Sequence, residues 1–161
     1  MLFLWPVEGW KDWLAYTVVH EYAHLVRNLL FPRGVSGGRL VYMKSQRPET
    51  LLDAMVAEGI ADTFALGVCP NMHPGWTRAL DADQLRRMWP RIRRRLGAAD
   101  TTEIRRMLFG DGDRVPLWTG YTFGYRIVSS YLESNPETHP AQLVSVEGSA
   151  ILAGSCYASD A

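Results

Sequence analysis

Residues 17–30 read TVVHEYAHLVRNLL. Apolar side chains recur here every three to four residues and extend round much of the circumference, the pattern of a helix central to a helical core. Into that oily run the chain sets His20, Glu21 and His24. Polar and ionised groups are costly to strip of water without a partner. The trio is therefore either a set of core groups bonded to backbone and carboxylates, or part of a site that holds something.

Helix signals dominate on either side of this stretch. Asp12 is placed to cap the helix from about Trp13, and Pro32 with Gly34 ends it after Leu30. Residues 34–45, GVSGGRLVYMKS, read as a Gly-rich loop leading into a short alternating run, a candidate strand. Pro48 falls near a first helical turn, and ETLLDAMVAEGIADTFAL carries helical periodicity from residue 49 to Gly67. A loop follows, CPNMHPGW. Asp81 caps a third helix that Pro90 must kink or split. Asp100 and Glu103 have capping-box spacing for a short helix ending at Gly110. GYTFGYRIVSSYLE reads as a helix despite Gly124, with one or two short helices after Pro136. The expected fold is mainly α, a compact helical domain over residues 1–161 with at most a small β element.

Composition narrows the function classes. The 161 residues are 47% hydrophobic and 21% charged, as in a globular chain, and formal net charge is zero. That argues against a general polyanion binder. Cys69 and Cys156 lack metal-site spacing and read as reduced thiols. No run approaches the roughly 20 apolar residues of a membrane span, and MLFLWPVEGWKDW is a poor signal peptide. A soluble, cytoplasmic protein with no membrane partner is expected.

His20-Glu21-Tyr22-Ala23-His24 is an H-E-x-x-H pattern, expected by chance about 0.005 times at this composition. Residues at i and i+4 share a helix face, so two imidazoles can converge on one zinc ion at about 2.0–2.1 Å each. Glu21 lies about 100° round the helix, beside the metal, where it can take a proton from water. A third ligand is required, and the next helix offers Glu58, with Asp62 one turn on to orient a histidine. The bland reading of Glu58 and Asp62 is a solvated acidic face. Against it, both lie among Met55, Val56, Ala57, Ile60, Ala61, Phe64 and Ala65. Gly59 costs about 1 kcal/mol within a helix relative to alanine; the expected return is close approach of the two site helices.

At these residues the chain resembles gluzincin-type zinc metallopeptidases, which carry H-E-x-x-H followed by E-x-x-x-D on a later helix. It is more closely similar to a family of predicted zinc-dependent proteases that carried a domain-of-unknown-function label. The matching pieces are VVHEYAHLVR, ETLLDAMVAEGIAD and PLWTGYTFGYRIVSSYL. The resemblance implies a hydrolase with one Zn2+ per chain, His20, His24 and Glu58 as ligands, Glu21 as general base, and a peptide or protein substrate. Gluzincins place a sheet before the active-site helix, so the fold becomes α+β if the N-terminal region forms strands.

An oxyanion donor is also needed. Tyr121 and Tyr125, at i and i+4, are the candidates, with core packing as the alternative for both. His139 and His73 read as a helix start and a loop residue. Asp53 reads as structural. Arg86, Arg87, Arg91, Arg93, Arg94 and Arg95, followed by Arg105 and Arg106, form the main charge cluster. It is either a solvated face or an anion-binding patch; nucleic acid is not the expected partner, because aromatic interleaving is thin. The alternative to an enzyme is a catalytically silent metal-binding or regulatory domain with an anionic or nucleic-acid partner at the Arg86–Arg95 helix.

Overall fold

The computed structural model describes residues 9–30 and 49–158. Six α-helices order these residues: α1 (Trp10–Leu30), α2 (Leu51–Val68), α3 (Ala82–Arg93), α4 (Thr101–Phe109), α5 (Thr119–Ser134) and α6 (Gly148–Ala153). Short 3-10 turns at Gly75–Arg78 and Pro140–Ser145 lie between helices, and one at Cys156–Ala158 follows α6. No strand occurs among the described residues, and the fold is mainly α. The candidate strand at residues 34–45 and the stop signals Pro32 and Gly34 lie outside the described residues.

α2 is the axis of the packing. Leu51, Met55, Val56, Ile60, Ala61 and Ala65 are all buried, so its apolar surface is covered nearly all round. Its start is doubly secured. The Thr50 hydroxyl accepts from the Asp53 N–H at 3.2 Å, and the Asp53 carboxylate accepts from the Thr50 N–H at 3.1 Å. Two more orphan N–H groups of the first turn, at Leu51 and Leu52, donate to the Ala98 and Leu96 carbonyls in the α3–α4 connection. Asp53 is thus a structural capping residue.

The start of α1 differs from expectation: it begins at Trp10, so Asp12 lies inside it, and Gly9, at φ 77°, turns the chain into the helix. Of the kink or split expected at Pro90, the split does not occur, and α3 continues to Arg93. Proline there removes the bond to the Arg86 carbonyl, four residues earlier. Both residues are exposed, so water can serve that carbonyl.

α2 and α5 cross at backbone contact. A β-carbon added at Gly59 would overlap the Gly124 carbonyl, and one at Gly124 would overlap the Met55 carbonyl. The close approach expected from Gly59 is therefore present but directed at α5, not at α1. α1 is instead fastened by Arg27, which is 3% exposed. Its Nη1 donates to the carbonyls of Leu143, Val144 and Val146 at 3.1, 3.3 and 2.9 Å. Cys69 and Cys156 are free thiols. No helix among the described residues is long and apolar enough to cross a membrane.

The crossing makes a stability prediction. Gly59→Ala should destabilise by about 2 kcal/mol or more, because overlap with backbone outweighs the roughly 1 kcal/mol gained in helix propensity. Gly67→Ala, also in α2 but with open space at its Cα, should be neutral or slightly stabilising. Denaturant unfolding of both variants checks this, and equal behaviour would show that the helices can separate freely.

Candidate metal centre

α1 presents Trp13, Tyr16, His20, His24 and Arg27 along one side, as a 3.6-residue repeat dictates. His20 and His24 stack edge to face, with ring centroids 4.8 Å apart. Their Nε2 atoms are 3.0 Å apart. From α2, Glu58 brings Oε2 to 3.3 Å from each of them. Three donor atoms thus form a near-equilateral triangle. Atoms bound at about 2.0–2.1 Å to a tetrahedral ion sit roughly 3.3–3.4 Å apart, so these residues fit a zinc-sized cation with little adjustment. Among the described residues this is the one group of at least three metal-type side chains whose donor atoms converge, and it could hold a metal ion. The triangle is open on one side: the His24 and Glu58 side chains keep 21% and 18% of their surface exposed.

Behind the triangle lies Asp62, with no exposed surface. The Tyr16 hydroxyl donates to its Oδ1 at 2.6 Å. The Trp76 indole N–H reaches both oxygens, at 3.1 and 3.0 Å. His20 Nδ1 is 2.9 Å from Oδ1 in a charge contact bent off hydrogen-bond alignment. Asp62 thus lies on the Nδ1 side of His20, while Nε2 of the same ring faces Glu58. Tyr16 and Trp76 were not identified as site residues from sequence. The periodicity of α1 does place Tyr16 on the His20 face, whereas Trp76 comes from the Gly75–Arg78 turn and carries no local signal.

Electrostatics follow this arrangement. Burial opposes charge on His20, but the carboxylates of Asp62 and Glu58 outweigh it and lift its pKa to about 9. Burial likewise opposes charge on Glu58, and His20 and His24 overcome it, bringing its pKa down to about 2. Burial and the Asp62 carboxylate hold the Tyr16 phenol far above its usual range.

The remaining candidates separate. Glu21 is exposed beside His20. Tyr121 lies near the cluster: burial first, then the charges of Glu58 and Asp62, hold its phenol above the usual range. Tyr125, one turn further along α5, lines a different cavity of ≈ 360 Å3 with Leu66, His73 and Arg78. His73 is exposed there. His139 caps the Pro140–Ser145 turn, its Nδ1 accepting from the Ala141 N–H at 3.2 Å. Trp13 packs on Tyr16 and Trp76 at 5.8 and 5.7 Å between centroids.

A family model described as "Predicted Zn-dependent protease (DUF2268)" matches residues 1–153. No match was found among curated proteins or among solved structures.

The ion cluster makes stability depend on pH when metal is removed. His20, raised above its unfolded value of 6.5, contributes fully below that value, and the contribution is lost as pH rises through about 9. Glu58, lowered from 4.5, contributes above that value, and the contribution is lost as pH falls through about 2. Chelator-treated protein should therefore have its highest Tm between pH 4.5 and 6.5. His20→Asn should flatten the alkaline decline; a wild-type Tm that stays level up to pH 9 would contradict the cluster.

Proposed function

The chain belongs to the DUF2268 family of predicted Zn-dependent proteases, and from that membership and the His20–His24–Glu58 triangle we propose that it is a metallopeptidase holding one zinc ion per chain. The observation that carries this reading is the triangle itself. Two ring nitrogens and a carboxylate oxygen lie within 3.3 Å of one another on two helices. The open side leaves a position for water and substrate.

His20, His24 and Glu58 would hold the ion. Zinc in such a site supplies Lewis acidity, polarising a carbonyl and lowering the pKa of water towards about 7. The chain's own residues do the rest. Glu21 accepts the proton of the attacking water and passes it to the leaving amine. Its place on the solvent side of α1, next to a ligand histidine, suits both halves of that task. Tyr121 stays protonated at neutral pH and can donate its O–H to the oxyanion that develops on the substrate carbonyl. The influence of Glu58 and Asp62 on its phenol favours it over Tyr125, which lines a separate cavity. Asp62 orients the His20 ring through their charge contact, while Tyr16 and Trp76 hold Asp62. The substrate class is a peptide or protein.

Three variants test the reading. Purified protein should carry about one zinc by elemental analysis. Glu21→Gln should keep the zinc and lose hydrolysis of a fluorogenic peptide mixture by about 100-fold or more; a silent metal-binding domain would be indifferent to it. Glu58→Ala should weaken zinc retention in a competition titration, and Asp62→Asn should weaken it by about 10–100-fold. Unchanged affinity in Glu58→Ala would assign the third ligand elsewhere.

A further inference from the structure

Trp89, Phe123 and Tyr157 form an aromatic floor on the side of α5 turned away from the metal cluster. Trp89 lies 5.5 Å from Phe123 and 4.7 Å from Tyr157 between centroids, and Phe123 lies 6.2 Å from Tyr157. Phe123 and Arg126 are about 200° and 140° round the helix from Tyr121, so this floor and the cluster occupy different faces. Over the floor opens a cavity of ≈ 510 Å3, within the range of small-molecule sites, about 300–1,000 Å3. Arg86 and Arg93 from α3 and Arg126 from α5 line it, and no lining residue is acidic.

The three guanidinium groups differ in what they have left to offer. Arg86 is engaged by Asp83. The Arg126 Nε donates to the Tyr157 hydroxyl at 3.1 Å, which directs the group over the floor without neutralising it. Arg93 is exposed, with no acidic partner among the described residues. In the floor, Trp89 is 8% exposed, with its indole N–H buried beneath the ring surface that lines the cavity.

The arginine run is not one continuous basic face. Arg86 and Arg93 look onto this cavity. Arg87 and Arg91 line another, together with Arg114 and the acidic Asp113. Arg95 is paired with Glu103 at 2.9 Å. A polyanion tracking the helix would meet these side chains divided between two concavities. A small molecule in the first would meet two available cations over a flat apolar base.

We propose that this cavity binds a small organic anion with a planar aromatic body, of the aryl phosphate type. The ring lies on Trp89, Phe123 and Tyr157, and the anionic group is met by Arg93 and Arg126. The assignment is independent of the peptidase reading.

Titration calorimetry of the full zinc-loaded chain with phenyl phosphate tests it. Saturable one-to-one binding is expected, with phenol and inorganic phosphate each bound about tenfold more weakly or less. Arg93→Ala and Arg126→Ala should each weaken phenyl phosphate about tenfold, the loss of one charge-assisted hydrogen bond; both side chains are exposed, so folding is not at stake. An indole N–H resonance assigned to Trp89 should shift on titration and stay still in the double variant. Affinity that ignores both arginines, or equal affinity for inorganic phosphate, would overturn the site. So would the absence of saturable binding. Salt-sensitive binding of a single-stranded oligonucleotide without binding of phenyl phosphate would replace it with a polyanion surface.

Discussion

A carboxylate with no exposed surface must be neutralised and hydrogen-bonded where it stands. Asp62 is that group, and the geometry around the cluster depends on it. Burying an ion costs several kcal/mol even after relaxation, and the loss is recovered only by close, numerous partners. Asp62 takes them from three directions: a phenol and an imidazole of α1 and an indole from the Gly75–Arg78 turn. A shift of α1 along α2 by one residue would rotate Tyr16 and His20 away and strand the charge. The cost of desolvation thus fixes the register of the two helices. That register, in turn, sets His20 and His24 opposite Glu58, one turn earlier on α2.

The second constraint is steric. Where Asp62 locks α1 onto one side of α2, Gly59 and Gly124 let α5 come to backbone contact on another. Helices separated by ordinary side chains run about 8–10 Å apart. Without that spacing, Tyr121 in the first turn of α5 is close enough to Glu58 for the carboxylate to raise its phenol's pKa. Of the three acids of α2, Asp53 serves the helix start, while Glu58 and Asp62 both meet α1 and Asp62 is tied besides to the Gly75–Arg78 turn. A helix that is apolar on nearly every face carries them because capping and packing contacts deliver a partner to each.

Much of this was legible in the chain because it is periodic and local. His20 with His24, and Glu58 with Asp62, are i, i+4 pairs inside apolar runs, and a helix offers such pairs few geometries. Asp53, Asp81 and Asp100 act as caps through bonds to residues three positions away, which sequence spacing encodes. What escaped is non-local. Gly59 announces that something approaches closely but not what, and the partner is α5 rather than α1. Trp76 serves Asp62 across 14 residues, through a turn whose direction no local pattern records. Tyr121 and Tyr125 share a face of α5, yet the crossing with α2 turns one towards Glu58 and leaves the other at a separate cavity.

Trp118 shows how the two supports of the cluster are joined. It is the one non-glycine residue with positive φ among the described residues, at φ 61°, a conformation that costs a bulky side chain roughly 1–3 kcal/mol. Its N–H donates to the Phe109 carbonyl at 2.9 Å, and its own carbonyl accepts from the Thr122 N–H at 2.9 Å, so the turn is held from both sides. The chain thereby turns from the 110–118 connection into α5, and the indole is set among three rings. Trp76, Phe109 and Tyr121 lie 6.1, 5.8 and 5.3 Å from it between centroids. Trp76 is the donor to Asp62, and Tyr121 is the phenol beside Glu58. An apolar wedge under backbone strain thus sets the spacing between the groups that attend the two carboxylates. Rings in edge and tilted contact resist displacement even where Phe109 and Trp118 are themselves partly exposed. A site whose donor atoms must hold their places within a few tenths of an ångström benefits from being braced by rings.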